Sequence, residues 1–134
     1  MSTGTWDPDA VEPPTGLMVD DTLRERLLAL GRSVEQEPLE TQLSGEERDR
    51  LAGLMRLDHS LWEAQAADMD ERDILDLIRF FAVAENLAGW EAGPQSPVIP
   101  LARALRKRGV KLEKGLLRWL RAVNDNRFLP YGPL

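Results

Sequence analysis

The chain has 134 residues, with 17 basic and 23 acidic side chains, one histidine and no cysteine, for a formal net charge of −6. That length fits one domain, and 43% apolar with 30% charged residues places it among globular proteins rather than disordered or membrane-spanning ones. The missing cysteine excludes disulfides, zinc–thiolate and iron–sulfur sites and thiol nucleophiles, so the fold must rest on packing.

Residues 1–19 are expected to form a disordered tail. Pro8, Pro13, Pro14 and two glycines stand there among small and acidic residues, with too little apolar surface to offset the entropy of ordering. Trp6 is its one large aromatic. The segment has neither a basic start nor an apolar run, so it does not read as a signal peptide. The longest apolar run, Phe80 to Ala84, is far below the ~20 residues that cross a bilayer. The expected location is the cytoplasm, without a membrane partner.

From Asp20 to the C-terminus the pattern reads as one helical domain. Acids Asp20 and Asp21 suit the positive end of a helix dipole, and Leu23, Leu27 and Leu30 make a stripe that Gly31 is expected to stop. Ser33 to Leu43 contains a Ser33/Gln36 capping pattern but is interrupted by Pro38, and reads as a loop with some helical turn. Ser44 and Glu47 form a second capping pattern, ahead of a helix predicted over about 45–67 with a bend near Asp58. Asp70 caps the strongest pattern, a helix over 71–88 whose Ile74, Leu75, Ile78, Phe81 and Ala82 share one face. After a loop with Gly93 and Pro94, Ser96 and Pro97 start a helix that runs to Gly109. A turn over 110–112 leads to a last helix from Glu113 to about Val123, with Leu116, Leu117, Leu120 and Val123 on one side. Alternating strand patterns and internal repeats are absent. The fold class expected is all-α: a compact bundle of about five helices, with a flexible N-terminal tail and an extended apolar C-terminal strip.

Charge is segregated along the chain. Residues 103–134 hold nine of the 17 basic residues and two acids, a net +7, against −13 over the residues before them. Arg103, Arg106 and Lys107 group on one helix, and Lys114, Arg118 and Arg121 recur at i, i+4 and i+7 on the next, opposite the leucines. Together these can form a patch that attracts an acidic protein surface or helix, with Trp119 as an apolar anchor. The plain alternative is that these cations are solvated or paired with the chain's own acids.

Two helices joined by a short turn at Gly109 also have the outline of a helix-turn-helix. The last helix, however, carries few short polar side chains to read base edges. Nucleic-acid binding through phosphate contacts is therefore the second expectation. Self-association of the acidic and basic ends is a third.

Phe128, Leu129 and Tyr131 lie in the apolar ending, which either folds back on the bundle or docks on another protein. Trp62 and Trp90 read as core or core-edge residues, and His59 as a solvated or capping histidine. Adjacent helical residues diverge in direction, so Asp58-His59-Ser60 is no hydrolase triad. No phosphate loop, EF-hand or dinucleotide motif occurs. The expectation is a non-enzymatic adaptor or regulatory protein without catalytic residues, cofactor or metal, binding through Arg103, Arg106, Lys107, Lys114, Arg118, Trp119, Arg121, Phe128 and Tyr131.

Overall fold

A computed structural model describes residues 18–126. The expected tail, apart from its last two residues, and the strip carrying Phe128 and Tyr131 lie outside the described residues. Seven α-helices and two short 3-10 segments, joined by turns and loops, make up the described residues, with no strand among them. The chain is all-α as expected, although the periodicity had suggested about five helices.

Helix α1 (Asp21–Ser33) starts at Asp20, whose carboxylate accepts the Leu23 N–H at 2.8 Å. Leu27, Leu28 and Leu30 are buried along its inner face. The helix does not stop at Gly31 but runs through it. Gly31 is buried, and a Cβ there would collide with the Asp76 carbonyl, so this glycine sets a close helix crossing. The next residue, Arg32, reaches across the crossing to Asp76 at 3.1 Å and Asp73 at 3.3 Å.

Helix α2 (Leu39–Gln42) is the single turn that follows Pro38, pinned by buried Leu39 and Leu43. Helix α3 (Gly45–Leu51) begins at Ser44, whose Oγ accepts the Glu47 N–H at 3.0 Å. The reciprocal half of the capping box is not made. The Glu47 carboxylate instead takes both Nε and Nη2 of Arg26, at 3.2 and 3.1 Å.

The long helix expected over 45–67 is in three pieces: α3, a 3-10 segment at Ala52–Arg56, and α4 (His59–Ala67). The physical reason lies in what has to be buried. Leu57 is 5% exposed and Gly53 is buried, yet a straight helix would turn both away from the side on which Leu51, Leu54, Met55 and Trp62 are buried. Leu57 therefore adopts an extended backbone, and Asp58 restarts the helix by accepting the Ser60 N–H at 2.9 Å. That hydrogen bond also holds the Asp58 carboxyl below its ordinary range.

Helix α5 (Glu71–Ala84) is capped by Asp70, which accepts the Asp73 N–H at 2.9 Å, and it ends four residues earlier than its pattern suggested. It is the post of the bundle, packing on α1, α6 (Val98–Lys107) and α7 (Lys114–Val123), while α6 also packs on α4. Phe81 lies edge-on to Trp62 and to Phe80, each at 5.0 Å, and Phe80 lies edge-on to Trp90 at 6.1 Å. Trp62 and Trp90 are thus core residues, with the Trp90 indole donating to the Arg48 carbonyl at 3.1 Å. Gly109, at φ +80°, ends α6 in the left-handed conformation that favours glycine. No helix among the described residues is long and apolar enough to cross a membrane.

Gly31→Ala is expected to lower stability by about 1–3 kcal/mol, because the added methyl has only the backbone of α5 to displace. A thermal melt checks this. An unchanged midpoint would show that the crossing is looser than described.

Candidate functional site: cationic faces of the last two helices

Helices α6 and α7 are the most one-sided in the molecule. On α6, Val98, Leu101, Ala102 and Leu105 are buried while Arg103, Arg106 and Lys107 are exposed. On α7 only Leu120 is fully enclosed, Leu116, Leu117, Trp119 and Val123 are half-buried, and Lys114, Arg118 and Arg121 are exposed.

The two cation groups have different neighbours. Arg103 is ion-paired with Glu63 of α4 at 3.2 Å. With Lys107 and Arg108 it borders a groove of about 220 Å3 that Glu63, Ala67 and Ala104 complete. The Arg108 guanidinium donates to the Ala66 carbonyl in the last turn of α4, so it works as a helix cap. Helix α7 instead lies against α5. Trp119 faces a cleft of about 230 Å3 shared with Glu35, Arg79, Glu113, Gly115 and Leu116. The groove beside α6 and the cleft beside α7 share no lining residue.

Partnering separates these cations further. In the acidic part of the chain Arg50, Arg56 and Arg72 are exposed and have no side-chain ion pair or hydrogen bond among the described residues, while Arg24, Arg26, Arg32 and Arg79 hold carboxylates of their own chain. In the basic part Arg103 does the same, and Arg121 also has a partner. Arg106, Lys107, Lys111, Lys114 and Arg118 are exposed, and among the described residues no ion pair or hydrogen bond engages their side chains.

A second cluster escaped the sequence reading. Glu85, Ser96 and Asn124 are buried polar residues that meet at the C-terminal end of α5. Ser96 Oγ donates to Glu85 Oε2 at 2.6 Å and accepts the Val98 N–H at 3.2 Å. Asn126 Nδ2 donates to Glu85 Oε1 and to the Gly93 carbonyl, both at 2.9 Å. Asn124 Nδ2 donates to the Ala82 carbonyl at 2.8 Å, and Asn86 Nδ2 to the Val123 carbonyl at 2.6 Å. Together these bonds tie the exit of α7 to α5 and to the loop before α6. Burial pushes the Glu85 carboxyl above its ordinary range, with Asp125 adding to the shift, against hydrogen bonds from Ser96, Asn126 and Asn124 that lower it.

His59 is half-buried rather than solvated, and its Nε2 is enclosed without a hydrogen-bond partner, as is Trp62 Nε1. It borders a wide cleft of about 620 Å3 with Arg56, Leu57, Asp58, Leu61, Pro94 and Gln95. Among the described residues no three His, Asp or Glu side chains converge as a metal site requires. Comparison with known proteins gives no match: no family model fits the chain, and neither a curated protein nor a solved structure is significantly similar to it.

Asn126→Ala removes two hydrogen bonds and leaves a buried carboxylate oxygen short of a donor, with an expected cost of about 1–3 kcal/mol in denaturant unfolding. The pH dependence follows from the direction of the Glu85 shift. The fold holds this proton more tightly than the unfolded chain, so the contribution is complete below the ordinary glutamate range and is lost as pH rises through the raised folded value. Glu85→Gln should therefore gain melting temperature relative to the native chain as pH rises above the ordinary glutamate range. A difference that does not change with pH would remove Glu85 as its source.

Proposed function

We propose that the protein is a non-enzymatic cytoplasmic adaptor or regulator that binds an acidic surface or helix of another protein through its basic C-terminal helical pair. The observation that carries this reading is the concentration of exposed, unengaged cations Arg106, Lys107, Lys111, Lys114 and Arg118 in a stretch whose one acid is Glu113. A cation held in water beside half-buried apolar side chains is suited to steering and orienting an acidic partner. Trp119 supplies the large amphipathic contact that dominates such interfaces. Phe128 and Tyr131 belong to the proposal on their sequence alone, since they lie outside the described residues. Phosphate contact by the same cations is the competing chemistry, and it needs no base-reading side chains.

The test sets the intact chain beside a variant with Arg106, Lys107, Arg118 and Arg121 changed to Gln, in capture of acidic proteins from cell extract and in fluorescence polarisation with unrelated DNA duplexes. Capture should weaken by at least about tenfold in the variant, because exposed pairs contribute up to about 1 kcal/mol each. Equal capture by both chains would reject the surface. Duplex binding that falls steeply with salt and is lost in the variant would replace the protein partner by a nucleic acid.

A further inference from the structure

Two segments of opposite sign adjoin at the Trp119 cleft, whose own rim carries the charges of Glu35, Arg79 and Glu113. On one side, the connection after α1 and the turn of α2 carry Glu35, Glu37 and Glu40, all exposed, and no basic residue occurs between Arg32 and Arg48. On the other side α7 presents Lys114 and Arg118, also exposed and engaged by nothing among the described residues. Glu35 of the acidic segment and Gly115 of α7 both border the cleft, so the two segments are neighbours on one face. A Cβ built on Gly115 would meet no atom within 4 Å, so a second surface can approach the α7 backbone closely there. Trp119, half-buried at the edge of the cleft, leaves part of its ring for that surface.

From this arrangement we propose that the acidic partner of α7 is a second copy of this chain, docked about a two-fold axis through the Trp119 cleft. Rotation about such an axis lays the Glu35–Glu40 strip of one protomer on α7 of the other, and the reverse, so each charge pairing forms twice. The contact is isologous: the same patch serves on both copies and the assembly closes at two. Like charges would be opposed in any register that placed α7 on α7, which disfavours the alternatives. The inference rests on the reading of α7 as the contact face and adds the identity of what it contacts. The net charge of −6 opposes association at long range, so the dimer is a concentration-dependent one held by short-range pairs and the tryptophan.

The experiment is sedimentation equilibrium on the full chain over a concentration series, with two charge-reversed variants, Glu37→Lys with Glu40→Lys, and Lys114→Glu with Arg118→Glu. All four positions are exposed, and unchanged far-UV circular dichroism confirms folding. The native chain is expected to approach twice its monomer mass. Each variant alone should remain near the monomer mass, and their equimolar mixture should recover the dimer mass, because the mixed pair restores opposite charges at both contacts. Trp119→Ala should weaken the native dimer by about tenfold or more. A native chain that stays monomeric throughout overturns the inference, and so does a mixture that fails to dimerise while the native chain does. If that monomeric chain still captures a foreign acidic protein through Lys114 and Arg118, only the identity of the partner is wrong. If the Lys114→Glu, Arg118→Glu variant both dimerises and captures like the native chain, the role of α7 falls as well.

Discussion

The closeness of α1 to α5 at Gly31 is the constraint on which the rest of the bundle depends. With no side chain at that position, α1 settles against the backbone of α5 at Asp76, and Leu27, Leu28 and Leu30 come within reach of the core. The same approach brings Arg32 onto Asp76, a carboxylate whose side chain is only 5% exposed. Removing that much water from an acid is costly unless a cation stays in place, and here Arg32 and Arg79 hold it from opposite directions along the sequence. The ion pair is thus a product of the crossing and also fixes its register. On the same helix α5, Phe80 and Phe81 face Trp90 and Trp62, forming an aromatic row at the centre of the bundle.

Local chemistry in the chain was legible wherever a signal and its partner lie within one helical turn. Asp20, Ser44 and Asp70 each cap the helix that their position announces, and the buried faces of α5, α6 and α7 follow the 3.6-residue period. Features that depend on distant residues were not legible. Gly31 has the local signature of a helix end, and only α5, more than forty residues on, explains why the helix continues through it. Asp73 and Asp76 suit a helix start by dipole alone, but Asp76 is buried on Arg32 of another helix. Glu85, Ser96 and Asn126 are separated by 11 and 41 residues from their hydrogen-bond partners, and nothing in the spacing draws them together. Asn124 and Asn126 read as residues that merely end a helix, whereas they clamp it.

The candidate surface was legible as chemistry and less so as geometry. Residue spacing correctly separates the cations of α6 and α7 from the apolar faces, and the exposed positions follow it. The chain cannot announce, however, that Arg103 spends its charge on Glu63, that Arg108 closes the end of α4, or that Trp119 faces Glu35 and Arg79. These are consequences of helices packing with α4 on one side and α5 on the other. The cations divide accordingly into structural ones, which complete the fold, and solvated ones, which are what a partner would meet.

Helix α7 is seated lightly for its ten residues: a single fully enclosed leucine and a set of amide bonds at its far end hold it to α5, while its leading turn rests beside a cleft. Such an attachment gives the molecule graded rather than uniform stability. With so little enclosed apolar surface, α7 is expected to open locally at lower free energy than the aromatic centre, and its backbone amides to exchange with solvent ahead of those of α5. The helix that presents Lys114, Arg118 and Arg121 to solvent is therefore also one whose polar attachment is concentrated at its far end, at Asn124.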